Sequence, residues 1–167
     1  NFYGPNVTEA DVDKYYKTLK SPNPLQPLSF GLNSQLLIED GKVVEKVWKS
    51  GGLYGQSIDK IIFWLQKSKD VAENDQQAKA FDLLIKFYQT GDLKIWDDYN
   101  VAWADTKEGD IDYINGFIEV YNDPKGYRGS FESTVQIKDF EMSKKMDVLA
   151  TNAQWFEDNT PIMDAHK

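Results

Sequence analysis

The sequence predicts an α+β domain, helices packed around antiparallel β-hairpins, and three observations carry that expectation. Apolar residues recur at helical spacing in five stretches, an Asp-Gly pair joins two short β-prone runs, and near residue 112 the apolar period changes from 3.6 to 2. At 167 residues, 41% hydrophobic and 14% aromatic, the chain has the length and the apolar content for one domain with a core.

Thr8 and Asp11 form a capping-box pattern ahead of Val12, Tyr15, Tyr16 and Leu19, which predicts an amphipathic helix over about residues 9–20. Ser21 to Pro27 holds three of the six prolines and reads as a stiff extended connector. Gln35–Ile38 and Lys42–Val47 flank Asp40-Gly41, a pair suited to the positive φ of a tight hairpin turn. After the glycine-rich turn Gly51–Gly55, Ser57 is the expected cap of a helix with Ile58, Ile61, Ile62 and Leu65 on one stripe. That loop lacks a Gly-Lys-Ser/Thr ending and a preceding parallel strand, so it reads as a turn rather than a phosphate cradle. Residues 75–90 repeat the helical pattern up to Gly91, a C-cap glycine, and Asp92 starts another helix bearing Ile95, Trp96, Tyr99 and Trp103.

Composition narrows the function classes. With 19 basic against 27 acidic residues, a net charge of −8 and a single arginine, Arg128, the chain is not built to grip phosphate backbones, so no nucleic-acid partner is expected. No apolar run approaches the ~18 residues of a membrane span, so no membrane partner is expected either. The absence of cysteine removes thiolate chemistry and Cys-based zinc sites, and the one histidine, His166, is penultimate, which leaves no imidazole for a triad or a multi-histidine metal site. The chain opens at Asn1 and stops at Lys167, just after the polar run Glu157–Pro161, and a fragment of a longer protein is the expectation.

From Asp112 to Tyr121 one parity holds Ile114, Gly116, Ile118 and Val120, and the other holds Tyr113, Asn115, Phe117, Glu119 and Tyr121. The first parity is the expected buried face. Glu119 and Tyr121 then stand two residues apart on a strand whose chemistry is otherwise hydrophobic, so the acid is solvated, paired or facing a cleft. Asp123-Pro124-Lys125-Gly126 makes a turn, and Phe131, Ser133, Val135 and Ile137 alternate along a returning strand. Asp139 caps a long final helix whose Met142, Met146, Leu149, Ala153 and Phe156 are its expected buried stripe. On residue type alone, Glu119 with Glu132 is also the equipment of a carbohydrate-active domain, with Trp96 and Trp103 as stacking platforms. Equally, Glu119 suits a non-catalytic module that captures peptide amino termini.

Gly116-Phe117-Ile118-Glu119-Val120-Tyr121-Asn122-Asp123-Pro124-Lys125-Gly126, with Gly129-Ser130-Phe131-Glu132-Ser133 after it, resembles a segment of zinc-dependent dipeptidyl peptidase III that reads G-F-I-E-x-Y-x-D-P-x-G and then G-x-[FW]-E. Tyr54-Gly55, Val71–Asp75, Thr90–Lys94 and Asn152–Asp158 are similar to the family in the same order, from about residue 29 to 161, and the bacterial branch is the nearest in pattern. The resemblance implies a metallo-exopeptidase that releases dipeptides from the free amino terminus of oligopeptides. Its zinc is held in the full-length parent by an H-E-x-x-G-H helix and a distal glutamate, none of which occurs in this chain, so no metal is expected on the fragment and the fragment alone is expected to be inactive. The implied architecture is residues 1–28 as N-terminal helix and connector, 29–161 as part of the β-barrel-containing lobe of a two-lobe enzyme, and 162–167 as a tail leading to the remainder of the parent chain. The resemblance implies that Glu119 binds the substrate α-amine and that Tyr121 stabilises the oxyanion, with Glu132 and Arg128 in support. A cytoplasmic parent is expected, with the periplasm as the alternative.

Overall fold

In a computed structural model that describes residues 2–166, the elements run α1 (Glu9–Lys17), β1 (Ser34–Glu39), β2 (Lys42–Val47), α2 (Gly55–Asp70), α3 (Asp75–Thr90), α4 (Leu93–Ala104), β3 (Ile111–Phe117), β4 (Phe131–Ile137), α5 (Phe140–Thr151) and α6 (Ala153–Asp158), with a 3₁₀ turn at Asp164–His166. The α+β class holds, as two separate antiparallel hairpins, β1–β2 and β3–β4. No barrel closes among the described residues.

Local chemistry explains most of the boundaries. The Thr8 hydroxyl accepts from the Asp11 N–H at 3.3 Å while the Asp11 carboxylate accepts from the Thr8 N–H at 3.0 Å, the reciprocal box its sequence promised. Thr18, whose N–H returns to the carbonyls of Tyr15 and Tyr16, ends α1 short of the expected residue 20. The Asp40-Gly41 turn has φ of 50° and 73°, the mirror-image turn whose twist matches two paired strands. Asn74 caps α3 through the Gln77 N–H at 2.9 Å, Gly91 ends it with φ 73°, and Asp92 starts α4 through the Lys94 N–H at 2.8 Å.

Other expectations are corrected. The helix begins at Gly55 rather than after Ser57, because Tyr54 takes a left-handed conformation (φ 62°) and its carbonyl already accepts from the N–H groups of Ser57 and Ile58. The proline connector turns instead of extending, since the Gln26 N–H closes on the Asn23 carbonyl and the Ser21 hydroxyl accepts from the Leu28 N–H at 2.7 Å. The final helix breaks at Asn152 into α5 and α6, and neither has a buried residue. Met142, Met146, Leu149 and Phe156 are therefore an exposed apolar face and not the core filling their spacing suggested.

The main core lies where α2, α3 and α4 meet β3. Ile58, Ile62, Phe81, Leu84, Phe87, Tyr88, Trp96 and Tyr99 are buried there, each large side chain removing apolar surface worth about 1.5–3 kcal/mol. A second cluster unites Val12 and Tyr16 of α1 with Leu36 of β1 and half-buried Tyr3, Phe30 and Tyr127. The residues of interest lie at the seam between the two clusters.

Candidate functional site

The β3–β4 ladder pairs Phe117 with Phe131 and then changes step. The Ile118 N–H donates to the Ser130 carbonyl at 2.9 Å, but the Ser130 N–H donates to the Glu119 carbonyl, also at 2.9 Å, so two residues face one. This is a β-bulge, a device that re-aims side chains at the end of a ladder. The expected strand over 112–121 thus stops at Phe117, and Glu119 and Tyr121 lie in the irregular segment beyond it.

The bulge also corrects the assignment of faces. Within β3 the buried parity is Tyr113, stacked on Phe81, and Phe117, tilted against Trp48, while Ile114 is exposed. Gly116 is buried on the other parity because Trp96 lies over it. After the bulge Ile118 and Val120 are the half-buried residues, lining a cavity of about 540 Å³ with Phe117, Trp96, Asn100 and Tyr127. Glu119 is exposed and Tyr121 is 75% exposed, and neither lines that cavity. The acid and the phenol therefore alternate with the inward Ile118 and Val120 and are open to solvent.

The return limb is held by two buried charges. Asp123 is 4% exposed, and its carboxylate accepts from the Lys125 N–H (3.1 Å), the Tyr127 N–H (2.9 Å), the Arg128 N–H (3.0 Å) and the Tyr3 hydroxyl (2.8 Å). Burial, the largest single influence, raises its carboxyl pKa, but the four donors together outweigh burial and the net displacement is downward from the ordinary 3.8. Arg128 is fully buried. Its Nη1 donates to the Gly31 carbonyl at 3.1 Å and its guanidinium lies 4.9 Å and 5.1 Å from the ring centres of Tyr3 and Tyr16, which cover a cation whose Nε and Nη2 meet no acceptor. Burial pushes the Tyr16 hydroxyl pKa upward; the Arg128 charge opposes that and Glu45, which accepts its proton at 3.0 Å, adds to it. Outside this knot Tyr127 stacks on Tyr16 with centroids 4.3 Å apart, and the Lys125 ammonium reaches Glu9 (3.0 Å) and Asp13 (2.8 Å) of α1.

Glu132 is half-buried on β4 and pairs across from Gly116, so the register does not set it opposite Glu119. Trp96 is in the core, which removes it as a stacking platform for the carbohydrate alternative, and half-buried Trp103 donates its indole N–H to Asp112 Oδ1 and the Tyr113 carbonyl. Among the described residues no three His, Cys, Asp or Glu side chains gather to hold a metal, so these residues do not fit a zinc ion. Sequence reasoning missed the roles of Tyr3, Tyr16 and Gly31. Asp123 gave the signal for a turn, but only folding brings residues 3, 16 and 31 to it.

Comparison with known proteins follows the same segment. Residues 33–165 match Peptidase family M49. The chain is 27% identical over 178 residues to dipeptidyl peptidase 3 of Dictyostelium discoideum, covering 96% of this chain and 25% of that protein. It is 30% identical over 103 residues to dipeptidyl peptidase 3 of Homo sapiens, covering 62% of this chain and 14% of that protein. Its fold is similar to the structure of DPP III from Caldithrix abyssi (TM-score 0.72, 24% identity, 99% of this chain and 30% of that one). It is also similar to dipeptidyl-peptidase III from Corallococcus sp. strain EGB (TM-score 0.66, 22% identity, 99% and 30%). The chain thus spans a quarter or less of the length of these two sequence relatives. With the match running through the bulge, the exposed acid and phenol and the Asp123 turn, this chain belongs to peptidase family M49, the family of the dipeptidyl peptidases III.

Proposed function

We propose that this chain is part of a longer zinc-dependent exopeptidase that releases dipeptides from the free amino terminus of oligopeptides, and that it supplies one wall of the substrate cleft. One observation carries the reading: within the matched family segment, Glu119 and Tyr121 are both exposed on either side of half-buried Val120. An exopeptidase measures from a charged end, and the Glu119 carboxylate offers a protonated α-amine a charge-assisted hydrogen bond of about 1.5–3 kcal/mol. Tyr121 donates its hydroxyl to the carbonyl oxygen that gains negative charge as the peptide bond is attacked. The metal and its ligands belong to the remainder of the parent chain, which completes the site. The two hairpins contribute strands to a larger closed sheet in that parent, a reading supported by the exposed apolar residues Val135 and Ile137 on β4.

The test is a titration of this chain, isotopically labelled, with a tetrapeptide and with its N-acetylated form. The free-amine peptide is expected to shift the amide signals of residues 118–122 and the acetylated one to leave them in place, with the discrimination lost in Glu119→Gln. Equal shifts from both peptides, or an unchanged preference in Glu119→Gln, overturn the reading.

A further inference from the structure

Glu119 and Tyr121 sit where the ladder has ended, so ladder hydrogen bonds do not fix their direction. What restrains them is the return limb: Ile118 and Glu119 bond to Ser130, Asn122 Nδ2 donates to the Ser130 hydroxyl at 2.9 Å, and the Asp123 N–H closes a turn on the Val120 carbonyl. The limb is in turn fastened from elsewhere in the chain, by the Gly129 N–H to the Leu32 carbonyl at 2.8 Å, by Arg128 to Gly31, and by Tyr3 to Asp123. A buried arginine whose Nε and Nη2 lack acceptors is costly to place, and it sits one residue before Gly129, where a Cβ would come within 2.7 Å of the Phe117 carbonyl carbon. Gly31 is shaped by the same knot, since a Cβ there would fall 2.0 Å from Arg128 Nη1.

We propose that Asp123 and Arg128, locked to Tyr3, Tyr16 and Gly31, are positioning residues that aim Glu119 and Tyr121, so that the amino-terminal segment is a working part of the site. This rests on the functional reading above. Because the knot belongs to the α1–β1 cluster and not to the α2–α4 core, loosening it frees the bulge while the helical body stays folded.

Two variants test this on the whole chain. Tyr3→Phe removes one donor and keeps the ring on Arg128, and Asp123→Asn keeps the shape but loses the charge. In both, amide exchange at Ile118, Asp123 and Ser130 is expected to quicken by about tenfold or more, the fold-change equivalent to losing one hydrogen bond to a charged group, while Leu84 and Phe87 in α3 keep wild-type rates. In the peptide titration, preference for the free amine over the acetylated peptide is expected to fall in Asp123→Asn, with Tyr3→Phe intermediate. Unchanged exchange at the bulge overturns the proposal, as does a uniform rise that includes α3, which marks a general stability role. Faster exchange with unchanged amine preference overturns the positioning role. If the wild-type chain itself shows no amine preference, the functional reading fails, and the exchange arm still decides whether the knot fastens the bulge.

Discussion

An added methyl group at Gly116 would sit 2.2 Å from Trp96 Cη2, and Trp96 is wedged between Phe87 and Tyr99, so the ring has nowhere to retreat. Gly116→Ala is expected to lower stability by about 1–3 kcal/mol, the usual cost of overpacking, read as a lower denaturation midpoint with unchanged slope. Asp123 gives a pH signature. Its folded pKa lies below the ordinary 3.8, so the stability it contributes is present above that value and is lost as pH falls through the folded value. Protection of the Tyr127 and Arg128 amides, whose N–H groups it holds, measured against the intrinsic exchange rate at each pH, should fall on acidification below pH 3.8, and Asp123→Asn should flatten that response. In a longer peptidase containing this chain, Tyr121→Phe is expected to lower kcat by roughly 10²–10³, the effect of losing one oxyanion donor. Glu119→Gln is expected to raise KM for free-amine substrates. Steady-state kinetics on a dipeptidyl arylamide check both, and unchanged constants for either variant remove that residue from the site.

At the level of elements, the helix starts at Thr8, Asp92 and Asp139 and the glycine end at Gly91 were readable from their cap residues, and the start of α2 was not. Thr8, Asn74, Asp92 and Asp139 each accept from a backbone N–H of the following turn, and each helix starts beside its cap. Tyr54 has no capping side chain, and its left-handed backbone, set by the turn from Gly51, starts α2 before Ser57, the most cap-like residue nearby. Asn74 also reaches beyond its own helix, because its Nδ2 donates to the Glu108 carbonyl at 2.9 Å and so ties α3 to the approach of β3. Asn74→Ala should cost about 0.5–2 kcal/mol in chemical denaturation, toward the upper end since two bonds vanish together. The bulge at residues 118–119 was hidden for a different reason. Alternation by itself has no marker for where a strand takes an extra residue, and Ile118-Glu119-Val120-Tyr121 continues the same polarity pattern on either side of the irregularity.

Across the whole molecule, cohesion is uneven. The α2–α4 body holds the large buried aromatics, while α5 and α6 have no buried residue and leave Phe140, Met142, Met146, Val148, Leu149, Trp155 and Phe156 between 49% and 63% exposed. Amide exchange should therefore be slowest in α3 and fastest in α5 and α6, spreading over several orders of magnitude as local opening costs differ. Equal protection across the chain would contradict this packing. An exposed apolar face of this size also predicts concentration-dependent association of the isolated chain, visible by sedimentation.

The sequence by itself determined the helix caps, the Asp40-Gly41 hairpin, the α+β class and the motif that identifies the family, because each rests on neighbours a few residues apart. Only the tertiary structure decided that β3 buries Tyr113 and Phe117 rather than Ile114, that the last helices stand uncovered, and that Arg128 is sealed between two tyrosines from the amino-terminal segment. Those outcomes depend on which surfaces meet across 97 and 120 residues of chain, as in the Arg128–Gly31 and Asp123–Tyr3 bonds, and no local pattern encodes a partner that distant.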